Sequence, residues 1–125
     1  MGDEAVLVHN YQKNNNTKGG AYGNVGANGG EVHHMPANSV SPFSKDAGPA
    51  IQMDKLDHMQ TKSWGNSLSA QEYRAQQAYL LENGMFKEAV QMDIDDIRSK
   101  FGNKYDTAIL EMIKYINELF GYDMF

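Results

Sequence analysis

The sequence has no cysteine among its 125 residues, and it has only three prolines and one tryptophan. Without cysteine the chain cannot form a disulfide framework, a thiol nucleophile, or a cysteine-ligated zinc or iron–sulfur site. Histidine and carboxylate side chains are the strong metal ligands that remain. Any metal-dependent chemistry must therefore depend on these residues.

Long apolar runs are also absent, so we expect no membrane partner, because a spanning helix needs about 20 apolar residues. Residues 1–9 lack the basic segment and the long apolar core of a secretory signal. Acidic residues outnumber basic ones by 16 to 11, which gives a formal net charge of −5. This balance argues against a general nucleic-acid coat protein, which would present a basic face.

Glycine and asparagine are concentrated near the start, where they occupy 12 of the 21 positions from Asn10 to Gly30. Glycine adopts positive φ freely, and asparagine tolerates it better than most residues. This composition predicts loops, turns or disorder, with at best a short strand at residues 5–9. We predict a flexible entry segment over residues 1–30 and a single folded domain over residues 31–125.

The middle of the chain predicts a strand–loop–strand–helix unit. Residues 31–36 form a short segment bounded by Gly30 and Pro36, which suits a strand of four or five residues, and residues 49–53 form a short apolar segment that suits a second strand. Asp54 is placed to cap a helix that extends to about residue 63.

The last part of the chain predicts three helices over about residues 69–121. Ser69 and Glu72 have the spacing of a capping box at the start of the first helix. Apolar residues at spacings of three and four mark the other two helices, which Gly102 and Gly121 end. The acidic residues at 93, 95 and 96 fall largely opposite the apolar stripe, which predicts a solvated face.

The candidate chemical groups are the four histidines: His9, His33, His34 and His58. Adjacent strand residues point to opposite faces, but at a strand end both can be turned towards one site. A folded strand–loop–strand–helix unit would bring a strand histidine and His58 to one cleft, as in a mononuclear divalent metal site. A further histidine can act as general base on water, and phosphodiester hydrolysis needs this combination. His9 is isolated and is not predicted as a ligand.

Spacing alone leaves other interpretations open. The His33–His34 pair is also compatible with a surface pair or a hydrogen-bonded structural pair. Asp57 is a candidate metal ligand, a partner that orients an imidazole, or a charge near a helix N-terminus.

Several further residues near the histidines have two interpretations each. Thr61 and Ser63 could bind phosphate through their hydroxyls or close the end of the helix. For Trp64, packing in the core is favoured over stacking on a base. Three lysines are candidate phosphate contacts or ordinary surface residues: Lys45, Lys55 and Lys62.

The segments around these histidines resemble a known group of nucleases. The segments are EVHHMPANS (31–39), GPAIQM (48–53), DHMQTKSWG (57–65), AQEYRA (70–75) and QMDIDDIRSKFG (91–102). Over about residues 30–120 the chain resembles nuclease domains at the C-termini of bacterial polymorphic toxins. These domains belong to the HNH/endonuclease VII superfamily, or His-Me finger nucleases, and the resemblance is to a His-His type.

The resemblance implies an α+β, mostly helical fold, with a ββα-metal finger at about residues 31–65 packed against about three C-terminal helices. It implies one divalent ion (Mg, Mn, Zn or Ni) with His33 and His58 as ligands and His34 as general base, although His33 and His34 could exchange roles. Many relatives carry an asparagine on the second strand that orients the base. This chain lacks it, and Gln52 or Asn38 could replace it.

The resemblance also implies a function: a metal-dependent endonuclease toxin that hydrolyses phosphodiester bonds, with DNA favoured over RNA as substrate. Such a module is secreted as the C-terminal part of a larger toxin, acts in the cytoplasm of a competing cell, and is blocked by a cognate immunity protein. Two alternatives are a non-enzymatic helical interaction module with a histidine-bound structural metal, which the acidic charge favours, and a hydrolase that uses the same chemistry on another substrate.

Overall fold

The computed structural model describes residues 17–125, which form a small antiparallel sheet and four helices. The strands are Gly19–Ala21 (β1), Glu31–His34 (β2) and Pro49–Met53 (β3), in the spatial order β1–β3–β2. The helices are Lys55–His58 (α1), Leu68–Glu82 (α2), Phe86–Phe101 (α3) and Asp106–Phe120 (α4). The predicted fold class is confirmed: a small sheet is combined with C-terminal helices. The short strand considered at residues 5–9 lies outside the described residues.

The core lies where α3 and α4 cover the sheet, and the periodic apolar residues of both helices supply most of it. The glycines predicted to end these helices do so: Gly102 follows α3, and Gly121 caps α4 with a left-handed φ of 79°. The buried cluster also takes in residues of β3 and the residue after β2. Its members are Met35, Ile51, Met53, Phe86, Val90, Ile94, Ile97, Tyr105, Ala108, Ile109, Met112 and Ile116.

The first strand corrects the prediction that residues 1–30 form only a flexible entry segment. Within the described part of that segment, β1 pairs antiparallel with β3, and a 3-10 turn at Tyr22–Asn24 follows it. A Cβ on Gly19 would lie 1.9 Å from the carbonyl oxygen of Ala108 in α4. Glycine is therefore needed here because the α4 backbone packs directly on the strand, and glycine content alone does not distinguish such a strand from a loop.

Two predicted helix starts differ from the structure. Ser67, not Ser69, caps α2, since its Oγ accepts a hydrogen bond from the backbone N–H of Ala70 at 3.1 Å. Asp54 precedes α1 but makes no capping bond with its side chain, and α1 ends at His58. The predicted helix to residue 63 is wrong, because the chain turns directly after this single helical turn.

Two of the three carboxylates predicted to lie on a solvated face of α3 are buried. Asp93 is 1% exposed and Asp96 is 4% exposed. Asp93 accepts hydrogen bonds from the hydroxyl of Tyr73 at 2.7 Å and from the side-chain amide of Gln77 at 2.9 Å. These bonds connect α2 to α3 through polar groups, and burial raises the pKa of Asp93 to about 7.

None of the helices in residues 17–125 combines the length and the apolar character that a membrane crossing requires.

Replacing Gly19 by alanine should destabilise the fold, because the new Cβ would overlap the α4 backbone. We expect the free energy of unfolding to fall by about 1–3 kcal/mol, as in other overpacked interiors. Urea denaturation followed by circular dichroism measures this change. Thr107→Ala, at an exposed position of α4, is the control and should stay within about 0.5 kcal/mol of wild type. Equal stability of Gly19→Ala and wild type would contradict the close contact.

The buried carboxyl of Asp93 should make stability fall as pH rises. Its folded pKa of about 7 lies above its ordinary value of 3.8, so folding favours the protonated form. The stabilisation is therefore complete below about pH 4 and is lost as pH rises through 7. We expect this component to disappear in Asp93→Asn.

The free energy of unfolding in urea is measured for wild type and for Asp93→Asn at several pH values between about 4 and 8. The difference between the two proteins at each pH gives the contribution of Asp93. The exposed neighbour Asp95 supplies the matched control, Asp95→Asn, whose stability should follow that of wild type at every pH. Parallel curves for wild type and Asp93→Asn would show that Asp93 does not titrate in this way.

Candidate active site

The two adjacent histidines lie at the end of an edge strand. Among the strands of residues 17–125, β2 pairs only with β3, and it ends at His34. His33 lies opposite Ile51, and His34 lies opposite Ala50, so the two side chains leave the strand on opposite faces. Both nevertheless line one cleft of about 290 Å³, together with His58. The structure thus brings the three histidines of the sequence prediction together.

His33 and His58 are neighbours across this cleft. Their ring centroids are 4.9 Å apart, with an angle of 62° between the ring planes. His33 is 4% exposed, and its Nε2 has no hydrogen-bond partner among residues 17–125. Burial, followed by the nearby rings of His58 and His34, lowers the pKa of His33 to about 3. The ring is therefore neutral at pH 7, which is the form that binds a metal ion.

A carboxylate that the sequence analysis missed orients His58. Oε1 of Glu31 lies 2.5 Å from Nδ1 of His58. A carboxylate on one ring nitrogen fixes the tautomer and presents the other nitrogen, Nε2, for ligation. The sequence contains a signal for the position of Glu31. Side chains two residues apart on a strand share a face, so Glu31 lies on the same face of β2 as His33.

His34 is held separately from the other two histidines. Its Nε2 lies 2.8 Å from the carbonyl oxygen of Lys45, and its ring stacks on Tyr22 with centroids 4.1 Å apart. Burial is the main cause that lowers the pKa of His34. The Lys45 carbonyl supplies the orienting contact that was considered for Gln52 or Asn38. Gln52 instead donates to the carbonyl of Gly26.

Asp57 does not take part in the histidine cluster. Its carboxylate accepts hydrogen bonds from Nζ of Lys104 and from the hydroxyl of Tyr105, both at 2.7 Å. The bond from Lys104, and then that from Tyr105, lowers the pKa of Asp57. Asp57 therefore faces the start of α4 and is not among the lining residues of the cleft, and its role as a metal ligand stays a prediction.

The five candidate phosphate contacts fall into two groups. Lys45 and Ser63 line the cleft, whereas Lys55, Thr61 and Lys62 are not among its lining residues. Thr61 is buried, and its hydroxyl donates to the carbonyl of His58 at 2.8 Å, which closes the end of α1. Lys55 and Lys62 are exposed.

Trp64 corrects another prediction. The sequence predicts a place in the core, but Trp64 is 43% exposed and lines the cleft beside the histidines. Only the tertiary structure distinguishes these positions, because an indole suits a core and a cleft wall equally well.

The two imidazoles of His33 and His58 are the candidate ligands that the cleft offers to an ion. Nε2 of His33 is buried without a partner, and Glu31 orients His58. Within residues 17–125, no group of three or more histidine, aspartate or glutamate side chains could hold a metal ion. If His33 and His58 held an ion, they would supply two nitrogens, and the other positions would be left to water and substrate oxygens.

No protein-family model, curated protein or solved structure matches the chain. The resemblance to His-Me finger nucleases therefore stays a prediction from the sequence motifs.

The metal site can be tested by removing the charge that orients His58. Glu31→Gln should weaken the binding of Zn²⁺ or Ni²⁺ by about 10–100-fold, since a neutral amide supports the imidazole less well than a carboxylate. Isothermal titration calorimetry measures this affinity directly. Glu72→Gln changes an exposed glutamate of α2 and should bind as wild type does. An unchanged affinity in Glu31→Gln would refute the role of Glu31.

Proposed function

We propose that this chain is a metal-dependent endonuclease that hydrolyses phosphodiester bonds, with DNA favoured over RNA as substrate. The observation that carries the proposal is that three histidines line one cleft and fall into two sets. His33 and His58 lie together, while His34 is held apart by a backbone carbonyl. A nuclease of this kind needs two such functions, a metal-holding pair and a separate base.

His34 is suited to act as the general base. With its Nε2–H donated to the Lys45 carbonyl, Nδ1 is the nitrogen that can accept a proton from water. Stacking on Tyr22 limits rotation of the ring. A lowered pKa keeps the ring neutral at pH 7, so that the base is ready to accept the proton.

His33 and His58 are suited to hold the ion. The proximity of the two rings favours His33 over His34 as the ligand from β2. When bound, a divalent ion would stabilise the charge that develops on the phosphate and on the leaving oxygen. Glu31 would make His58 a stronger ligand by accepting its Nδ1–H.

The charge around the cleft supports an anionic substrate in spite of the net charge of −5. Among residues 17–125, the lining residues include Lys45 and three histidines but no carboxylate, and Glu31 contacts His58 from beside the cleft. Among the acidic groups that do not line the cleft, Asp93 is buried and Asp57 is paired with Lys104. The overall charge is therefore a poor measure of what a phosphate group would meet in this cleft.

The resemblance to toxin nuclease domains extends the proposal to a biological setting. The chain would be the C-terminal module of a larger secreted toxin and would act in the cytoplasm of a competing cell. A cognate immunity protein would bind it in the producer. The alternative is a structural ion in a non-enzymatic module, which the near-complete burial of His33 favours.

A cleavage assay tests the proposal. The purified chain is incubated with plasmid DNA and with total RNA in Mg²⁺, Mn²⁺, Zn²⁺ or Ni²⁺. We expect cleavage, and we expect His34→Ala to lower the rate by about 10²–10⁴-fold, as for the loss of a general base. The fold of the variant is checked by circular dichroism.

His9→Ala is the matched control, because His9 was not predicted as a ligand and lies outside the described residues; its cleavage rate should equal that of wild type. Absence of cleavage of both polymers with every ion would reject the nuclease function. Full activity in His34→Ala would reject the role of this residue alone.

A further inference from the structure

Trp64 presents a partly exposed indole at the cleft. It is the only tryptophan of the chain and is 43% exposed. The ring contacts within residues 17–125 join phenylalanine, tyrosine and histidine rings, and none involves Trp64. A large apolar ring exposed beside polar groups is a feature of binding sites, because it leaves a face that a ligand can cover.

The backbone that carries this indole is held in place on both sides. Nη1 of Arg74 donates to the carbonyl of Ser63 at 2.6 Å and to that of Gly65 at 2.8 Å. The N–H of Trp64 itself donates to the carbonyl of Thr61 at 3.1 Å. One guanidinium from α2 therefore clamps the residues before and after the tryptophan. Such preorganisation lowers the entropy cost of binding a ligand against the ring.

The remainder of the cleft supplies partners for a phosphate group. Lys45 and the histidines line the same cleft as Trp64, and Nζ of Lys45 lies 5.6 Å from the ring centroid of Tyr22, which stacks on His34. An aromatic face together with a cation is the combination that binds a base and its phosphate in single-stranded nucleic acids. The cleft volume of about 290 Å³ is near the small end of ligand pockets, about 300–1,000 Å³, and suits one nucleotide.

We propose that the indole of Trp64 stacks on an unpaired base and makes the cleft selective for single-stranded DNA or RNA. In a duplex, both faces of each internal base are covered by neighbouring base pairs, so the indole could stack only on an end or on an opened base. This inference rests on the proposed nuclease function for the identity of the ligand, and it specifies the substrate as an unpaired strand.

Because the chain has a single tryptophan, its fluorescence reports on this contact directly. The full chain is titrated in EDTA with a 12-nucleotide single-stranded DNA, its RNA equivalent, and a DNA hairpin duplex that has the same number of phosphates and is closed by a non-nucleotide linker, so that it has no unpaired base. We expect at least one single strand to quench the fluorescence and to bind about 10-fold or more tightly than the hairpin. Comparison of DNA with RNA distinguishes the two kinds of single strand.

Anisotropy of a labelled single strand tests the variants. Trp64→Ala should weaken binding by about 5-fold or more, the loss expected for one stacked base, whereas Trp64→Phe should retain most of the affinity. Leu56→Ala is the control, since Leu56 is 72% exposed and does not line the cleft. Thermal melting checks that each variant is folded.

Three outcomes would overturn the inference: equal affinity for the hairpin and the single strands, unchanged binding in Trp64→Ala, or no binding to any of them. Failure of the nuclease function gives a different result, namely single-strand binding with quenching but no cleavage when metal is added. Cleavage of the single-stranded substrate at the same rate by Trp64→Ala and wild type would leave the nuclease function in place and remove the role of Trp64.

Discussion

The position of α1 depends on a cluster of polar contacts with the start of α4. α1 has only four residues, and isolated helices of this length are not stable in water. Lys104 binds the carboxylates of Asp54 and Asp57, while the hydroxyl of Tyr105 donates to Asp57 and accepts from the N–H of Asp54. These contacts anchor the single turn at both carboxylates. His58 follows directly and is thereby held across from β2.

The other side of the cleft depends on the packing of α4 against the sheet. Because Gly19 has no side chain, the α4 backbone can approach β1, which pairs with β3. β3 in turn sets the register of β2, with Glu31 opposite Met53 and His33 opposite Ile51. A slip of one residue would turn these side chains to the other face. The same core that stabilises the fold thus places both the imidazole and the carboxylate of the proposed metal site.

The positions and partners of the acidic residues explain why the net charge is a poor description of the protein surface. Asp93 and Asp96 are buried in α3, where Asp96 accepts from the N–H of Lys62 and from Nζ of Lys100. Asp57 is bound to Lys104, and Glu31 is bound to His58. A count of charges treats every carboxylate as if it were equally exposed at the surface. Its effect on a ligand depends on its distance from the cleft and on its partner.

The sequence by itself determined the elements with strong local signals: the apolar periods of α3 and α4, the glycines that end them, strands β2 and β3, and the histidines as the candidate ligands. These signals depend on neighbours within a few residues, so they can be recognised in the chain itself. Only the tertiary structure decided that Gly19 lies in a strand, that Glu31 and not Asp57 supports an imidazole, and that Trp64 lines the cleft. Each of these depends on a contact between residues far apart in sequence, such as Gly19 with Ala108 or Asp57 with Tyr105. Local composition does not determine which distant groups will meet, because packing of the whole core selects them.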